Sequence, residues 1–288
     1  MRGIILKNQN GYFTILGDNQ QLSLCRSRGS LKRKSDILVG DWVDYDINQG
    51  TQALITHVYS RKNMLSRPPV ANIDQLILVA AIEKPTLNYF LLDKMIISAE
   101  LLGMRPIICI NKCDLNMPLA RTVSEEYQKI GYDTVCTSTY ENIGLSNLEM
   151  LIKGMVSVFS GSSGVGKSSL LNHFLGEEYF SSGEVSSHTE KGKNTTKHAE
   201  LVMLKKGIFL MDTPGYSFLE LSIDIQERID YLFPEFVPFL NQCKFHDCRH
   251  MTEPSCSIRN AVEAGMILER RYESYLRIVK NQEKIKIK

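Results

Sequence analysis

Three runs in this chain carry the residue types needed to hold a nucleoside triphosphate and its magnesium. The first, Gly161-Ser162-Ser163-Gly164-Val165-Gly166-Lys167-Ser168, has the spacing G-x-x-x-x-G-K-S/T. Its glycines let backbone N–H groups turn inward around phosphates, and a helix start at Ser169-Leu170-Leu171-Asn172 adds its positive end. Lys167 is expected to reach the β- and γ-phosphates and the Ser168 hydroxyl to ligate Mg2+, with Ser169 in the same phosphate-facing turn. The second run, Asp212-Thr213-Pro214-Gly215, has the form D-x-x-G. A carboxylate at a strand end holds Mg2+ through water there, while the Gly215 amide senses a γ-phosphate. Between the two lies Gly192-Lys193-Asn194-Thr195-Thr196. A loop at that place brings Thr195 and Thr196 to the nucleotide, with the Thr196 hydroxyl on Mg2+.

The third run selects the base. Asn111-Lys112-Cys113-Asp114 fits N-K-x-D. The Asp114 carboxylate accepts from both guanine N1–H and the exocyclic amine, a pair that adenine does not offer. A wrong base leaves the carboxylate unmatched. Lys112 would lay its methylene stem along the base, and Asn111 would tie this loop to the phosphate loop. Ser138 and Thr139, at the end of the next strand, are placed to offer backbone N–H groups to guanine O6. The expected ligands are therefore GTP and GDP.

A separate cluster is built for a metal. Cys243-x4-Cys248-x-His250-x5-Cys256 packs three thiols and an imidazole into a short span, a common tetrahedral zinc set with no open position, hence structural. His246 is the alternative imidazole, and the spacing favours His250. Cys25, Cys109 and Cys136 sit in strand-like runs where a buried thiol is the default, and Cys113 fills the variable position of N-K-x-D.

Motifs of this kind work only when strand ends and helix starts present them. Apolar strands at Gln75–Ala81, Pro106–Ile110, Thr134–Thr137, Val156–Ser160 and Ile208–Met211 alternate with amphipathic stretches such as Leu87–Leu102. That pattern indicates α/β with a largely parallel sheet. Before them, residues 1–65 hold short β-branched or alternating runs separated by Gly, Asn and Asp turns, suited to a small oligonucleotide-binding (OB) type barrel. The basic stretch Arg26–Lys34 lies between its strands, and Arg67-Pro68-Pro69 reads as a stiff extended linker. After Phe233-Pro234 comes the Cys/His cluster, then one long helical pattern from Ile258 to Lys280. The division expected is a barrel over 1–65, a nucleotide domain over 66–234 and a zinc-binding helical domain over 235–288.

Composition fits this picture. A chain of 288 residues, 43% hydrophobic and 23% charged, has the makings of globular cores. Its apolar runs, Leu76–Ile82 among them, fall short of a membrane span, and the N-terminus turns polar too early for a secretory signal. Seven cysteines, an odd count in a long chain, indicate a reducing, cytoplasmic setting. Residues 1–65 carry 9 Lys/Arg against 5 Asp/Glu, and residues 236–288 carry 10 against 6. Basic ends around an acidic centre suit flanking modules that touch a polyanion.

The base-reading run precedes the phosphate loop, reversing the usual GTPase order, which the sheet can survive if the chain is circularly permuted. Together with CRSRG, VGDWV, RPPVANIDQ, NKCD, GSSGVGKSSLLN, TTKHAEL, DTPG and CKFHDCRHMTEPSC, this order resembles the circularly permuted GTPases of small-subunit biogenesis, the RsgA, YjeQ or YloQ family. The resemblance spans nearly the whole chain. It implies GTP hydrolysis stimulated by the small ribosomal subunit, with a barrel and zinc domain that contact rRNA; a monomer with no membrane partner is expected. One position departs from the family. A histidine usually precedes the paired threonines, and Asn194 stands there; asparagine orients a water but does not exchange a proton near neutral pH. Tyr216 follows Gly215, so the glutamine of Ras-like enzymes is missing too. Nothing in the sequence places His188 or His198 at the γ-phosphate, so the water-positioning residue stays unassigned. Two other readings stay open: a GTPase of RNA modification or metal delivery, and an RNA-binding module that only holds GTP.

Overall fold

The computed structural model describes residues 1–27, 36–47, 53–66, 69–175, 201–204, 208–211 and 228–286. At the N-terminus β1 (Arg2–Gln9) and β2 (Tyr12–Gly17) form a hairpin across Asn10-Gly11, whose φ values are 52° and 81°. Asn-Gly supplies that left-handed turn at little steric cost. β3 (Leu22–Ser27), β4 (Trp42–Asp46) and β5 (Ala53–Val58) complete a closed barrel of order β1-β2-β3-β5-β4. β3 runs parallel to β5, and β4 returns to β1. Alternation turns Phe13, Ile15, Val43 and Tyr45 inward, where they are buried. This is the OB-type barrel expected. Of Arg26–Lys34, Arg26 and Ser27 end β3, and the rest lies outside the described residues.

Of the expected linker, Arg67 and Pro68 lie outside the described residues, and Pro69 opens a strand of a small hairpin. β6 (Met64–Ser66) pairs antiparallel with β7 (Pro69–Ala71). Pro69 is exposed at the start of its strand, a place that needs no N–H donor. Leu65 and Val70 are buried in the same apolar cluster as Ile4, Leu6 and Leu16 of the barrel and Leu76 and Leu78 of the sheet beyond. Residue 65 therefore falls inside a packed element.

The central sheet is threaded by β8 (Gln75–Ala81), α1 (Tyr89–Leu101), β9 (Arg105–Asn111), α2 (Met117–Ile130), β10 (Asp133–Thr137), α3 (Leu145–Ile152), β11 (Val156–Ser160), α4 (Lys167–Leu175), β12 (Val202–Leu204) and β13 (Ile208–Met211). Its order is β10-β9-β8-β11-β13-β12, parallel except for β12. β8 is buried at every position because neighbours flank it and helices cover both faces. Leu76, Leu78 and Ala80 enter one core, and Ile77, Val79 and Ala81 the other. Each such Leu, Ile or Val contributes about 1.5–3 kcal/mol. Among the described residues no helix is long and apolar enough to cross a membrane.

The C-terminal helical pattern is two helices, not one. α5 (Ser257–Glu263) stops before Gly265, whose φ of 72° is left-handed, and α6 (Glu269–Lys286) comes after it. The apolar periodicity of Ala261, Val262 and Met266 is real, but a glycine that takes this conformation ends a helix cheaply. The core of this module includes Ile229 and Phe233, upstream of residue 235, and Ile97 of α1.

Buried charge fastens α6 to the nucleotide domain. The fully buried Arg271 donates from Nη1 to Asp93 Oδ1 of α1 at 2.8 Å and from Nε to Glu235 Oε1 at 2.6 Å. Asp93 also accepts from Tyr127 Oη at 2.7 Å and Ser274 Oγ at 2.6 Å. Burial alone would favour a neutral Arg271; Asp93 and Glu235 outweigh it and hold the pKa well above the usual range. Removing one partner strands the other as a buried charge. Asp93→Leu should therefore cost about 3–5 kcal/mol in urea denaturation, and adding Arg271→Met should recover part of that loss.

Candidate functional site

The phosphate-type loop leaves the C-terminal end of β11 and enters α4, at the end of the parallel sheet where ligands of such folds bind. Two of its glycines have no room for a side chain. A Cβ on Gly161 would lie 2.2 Å from Val79 O of β8, and one on Gly166, whose φ is 96°, would lie 2.3 Å from Asn111 Nδ2. Val165 is buried, Ser162 and Ser168 are half-buried, and Ser163, Gly164 and Ser169 are exposed. Lys167 Nζ donates to Gly161 O at 2.8 Å and Ser162 O at 2.9 Å, so its ammonium spans the loop.

The N-K-x-D residues meet this loop directly. Asn111 Nδ2 donates to Val165 O at 2.8 Å, and Asn111 Oδ1 accepts from Thr137 Oγ1 at 3.0 Å. Asn111 is thus a strut between two loops 54 residues apart. Thr137, whose part in the site the sequence does not announce, fixes its amide orientation. Lys112, left-handed with φ 56°, donates from Nζ to Gly164 O at 2.7 Å and to Lys84 O. Asp114 lies exposed on the 3-10 turn Cys113–Leu115, beyond which Asn116 caps α2 by accepting from Leu119 N.

One expected contact needs correction. The Ser138 N–H is already donated to Ile143 O at 3.0 Å, and Ser138 Oγ accepts from Glu141 N at 3.1 Å. Ser138 closes its own loop, because a buried amide there must find a partner, and Thr139 lies half-buried beside it. Asn194, Thr195, Thr196, Asp212 and Gly215 lie outside the described residues, as do His188 and His198.

The Cys/His cluster gathers in space. One ligand atom from each of Cys243, Cys248, His250 and Cys256 lies within 4.8 Å of all the others. Tetrahedral zinc, with Zn–S about 2.3 Å and Zn–N about 2.0 Å, needs S···S near 3.8 Å and S···N near 3.5 Å. Cys243 Sγ is 4.0 Å from Cys256 Sγ, and His250 Nδ1 is 3.5 Å and 3.3 Å from these two sulfurs. The donor set fits zinc. Burial opposes ionisation at Cys243, but hydrogen bonds from Ser257 and Cys248 together with His250 lower this thiol to about 7. Sequence spacing did not reveal the supports. Glu253 accepts from the Arg249, Met251 and Thr252 amides, and Tyr272 and Tyr275 of α6 donate to His250 O and Arg249 O.

Comparison with known proteins decides the lineage. The profile of the RsgA N-terminal domain matches residues 2–55, and that of the RsgA GTPase matches residues 58–222. The chain belongs to the RsgA GTPase family. Among its relatives is the small ribosomal subunit biogenesis GTPase RsgA of Ruminiclostridium cellulolyticum, 40% identical over 96% of this chain and 92% of the relative. That of a Geobacillus species is also 40% identical, over 96% of each. The crystal structure of YjeQ from Thermotoga maritima superposes with a TM-score of 0.84 at 34% identity over 98% of both chains. That of YloQ, a circularly permuted GTPase, gives 0.83 at 32% identity over 98% of this chain and 95% of that one.

Gly166→Ala tests the strut directly. The added methyl must displace Asn111 and take a backbone conformation costly for alanine. Fluorescent-GDP titration should show binding weakened by at least about tenfold, the effect of about 1.4 kcal/mol, with the circular dichroism spectrum unchanged.

Proposed function

We propose that this RsgA-family GTPase hydrolyses GTP to GDP and phosphate in late maturation of the small ribosomal subunit, as a cytoplasmic monomer whose nucleotide state controls docking on rRNA. The observation that carries the reading is the Asn111 strut, which holds a guanine-type loop against a phosphate-type loop. In this reading the amides from Gly161 through Ser169 hold the phosphates, Lys167 neutralises developing charge, and Asp114 reads guanine with Lys112 and Thr139 beside it. Ser168 and Thr196 hold the Mg2+ that accompanies GTP, and that ion supplies further charge neutralisation. Asp212 and Gly215 respond to the γ-phosphate. These last roles, with those of Thr195 and Thr196, rest on sequence alone.

The barrel (1–65) and the zinc module (235–288) serve as the RNA-facing parts around the GTPase domain (66–234). Arg26 lies 4.2 Å over the Tyr12 ring, with Leu22 and Leu24 exposed on the same strand as Arg26. Stacked cations and exposed apolar side chains of this kind suit unpaired bases. Cys243, Cys248, His250 and Cys256 hold one structural zinc.

GTP turnover with and without purified small subunits tests the reading. Strong stimulation by subunits is expected; stimulation by another RNA instead, or tight binding without turnover, would replace it with one of the rival functions. Asp114→Asn should shift preference from guanine toward xanthine nucleotides in competition binding, since the C2 carbonyl of xanthine complements an amide donor. Comparable ATP and GTP affinities in the unaltered protein would defeat the base assignment.

Asn194 bears on rate. A missing general base or water orienter costs about 10²–10⁴, so the free protein should turn over slowly and the subunit should supply or order the missing group. Asn194→His should raise subunit-stimulated turnover more than GTP affinity. Unchanged turnover with subunit binding preserved would move the search to His198.

A further inference from the structure

The zinc ligands account for three sulfurs and one ring nitrogen, but the other nitrogen of that ring is buried too and must be answered. His250 Nε2 lies 3.4 Å from Asp230 Oδ2, and the two side chains are 2% and 5% exposed. Asp230 belongs to the 3-10 turn Ile229–Leu232, twenty residues from His250 in the chain. Its carboxylate is held in turn by Arg228, whose Nε is 3.1 Å from both oxygens. On the far side of the imidazole, Nδ1 faces the Cys243 and Cys256 sulfurs.

This arrangement determines where the ring carries its proton. With a carboxylate at Nε2, the proton belongs on Nε2 and the lone pair of Nδ1 points into the thiol cage. The opposite tautomer would set a lone pair against the Asp230 carboxylate and a hydrogen where the metal belongs. Tyr272 Oη, which donates to His250 O at 2.7 Å, braces the backbone from α6 but does not touch the ring nitrogens. The backbone at His250 is left-handed, with φ 59°.

We infer that Asp230 is a positioning residue for the zinc site. It accepts the Nε2–H of His250, makes Nδ1 the metal-binding atom, and so joins the segment leaving the nucleotide domain to the metal centre. The inference rests on the zinc reading above.

The test uses the full-length protein purified with zinc, beside Asp230→Asn, Asp230→Ala and Cys248→Ser. Elemental analysis gives metal content, competition with a chromophoric chelator gives zinc affinity, and two-bond proton–nitrogen correlation spectra give the His250 tautomer. The unaltered protein should hold one zinc through Nδ1 with Nε2 protonated. Asp230→Ala should weaken zinc about 10–100-fold, the usual cost of losing an outer partner of a metal-bound histidine. Asp230→Asn, which keeps the shape and one acceptor oxygen, should lose less. GDP binding should persist in both variants, showing that they fold. Zinc bound through Nε2, or an affinity in Asp230→Ala within about twofold of the unaltered protein while Cys248→Ser loses its metal, overturns the inference alone. A native protein without zinc overturns the zinc reading and this inference with it.

Discussion

Arg271 is a full positive charge buried away from water, and the arrangement of two helices and the stretch before the metal cluster depends on neutralising it. Asp93 comes from α1, Glu235 from the stretch before the metal cluster, and Arg271 itself from α6. A buried guanidinium is tolerated only when carboxylates meet it on its own geometry, so these segments have one mutual placement rather than a range. Its neighbour Arg270 extends the set to α2, donating to Tyr127 Oη at 3.1 Å and Glu126 Oε2 at 2.6 Å. α2 is capped by Asn116, two residues past Asp114. The helix that starts at the base-reading loop is therefore the helix on which the C-terminal module rests.

Circular permutation makes such a clamp necessary. Among the described residues, the strand before the D-x-x-G run is the last in chain order to join the sheet, so the C-terminal module has no later strand to anchor it there. The loops that must cooperate are far apart in sequence, and the sheet order alone brings the ends of β9 and β11 to the same side of β8's length, at its C-terminal end. Asn111 then closes the gap by donating to Val165 O, while its oxygen accepts from Thr137 on the other side. Chain order has been rotated while the contact between loops is retained, because sheet neighbours, not chain neighbours, determine which strand ends meet.

Much of this was legible in the residues. The limits of β8, β11 and β13 agree with the runs Gln75–Ala81, Val156–Ser160 and Ile208–Met211, since strands of a covered sheet are mostly apolar, and β11 and β13 stop where motif residues begin. The four metal-type residues were legible from spacing because they lie within one loop. What escaped were partners distant in sequence. Asp93, Thr137, Asp230 and Arg271 sit in segments whose pattern tells which face is buried but not what it meets. The Ser138 amide was misjudged for a related reason: strand-end position says nothing about whether an N–H is already taken. Gly265 was visible as a residue, yet helical periodicity on both sides of it concealed the break.

The outer side of the barrel has a consequence for how the chain is made. Ile4, Leu6 and Leu16 do not face the barrel interior; they share a core with β8, β11 and Leu201, whose N–H donates to Leu6 O at 2.8 Å. During synthesis at about 5–20 residues per second, the interval between residue 58, where the last barrel strand ends, and residue 201 is about 7–29 s. For that time a freshly closed barrel carries an incompletely covered apolar flank, since Leu65, Val70 and β8 reach it before β11 and Leu201 do. The nascent N-terminal module is thus a holding structure that becomes water-compatible only when the sheet arrives to cover it.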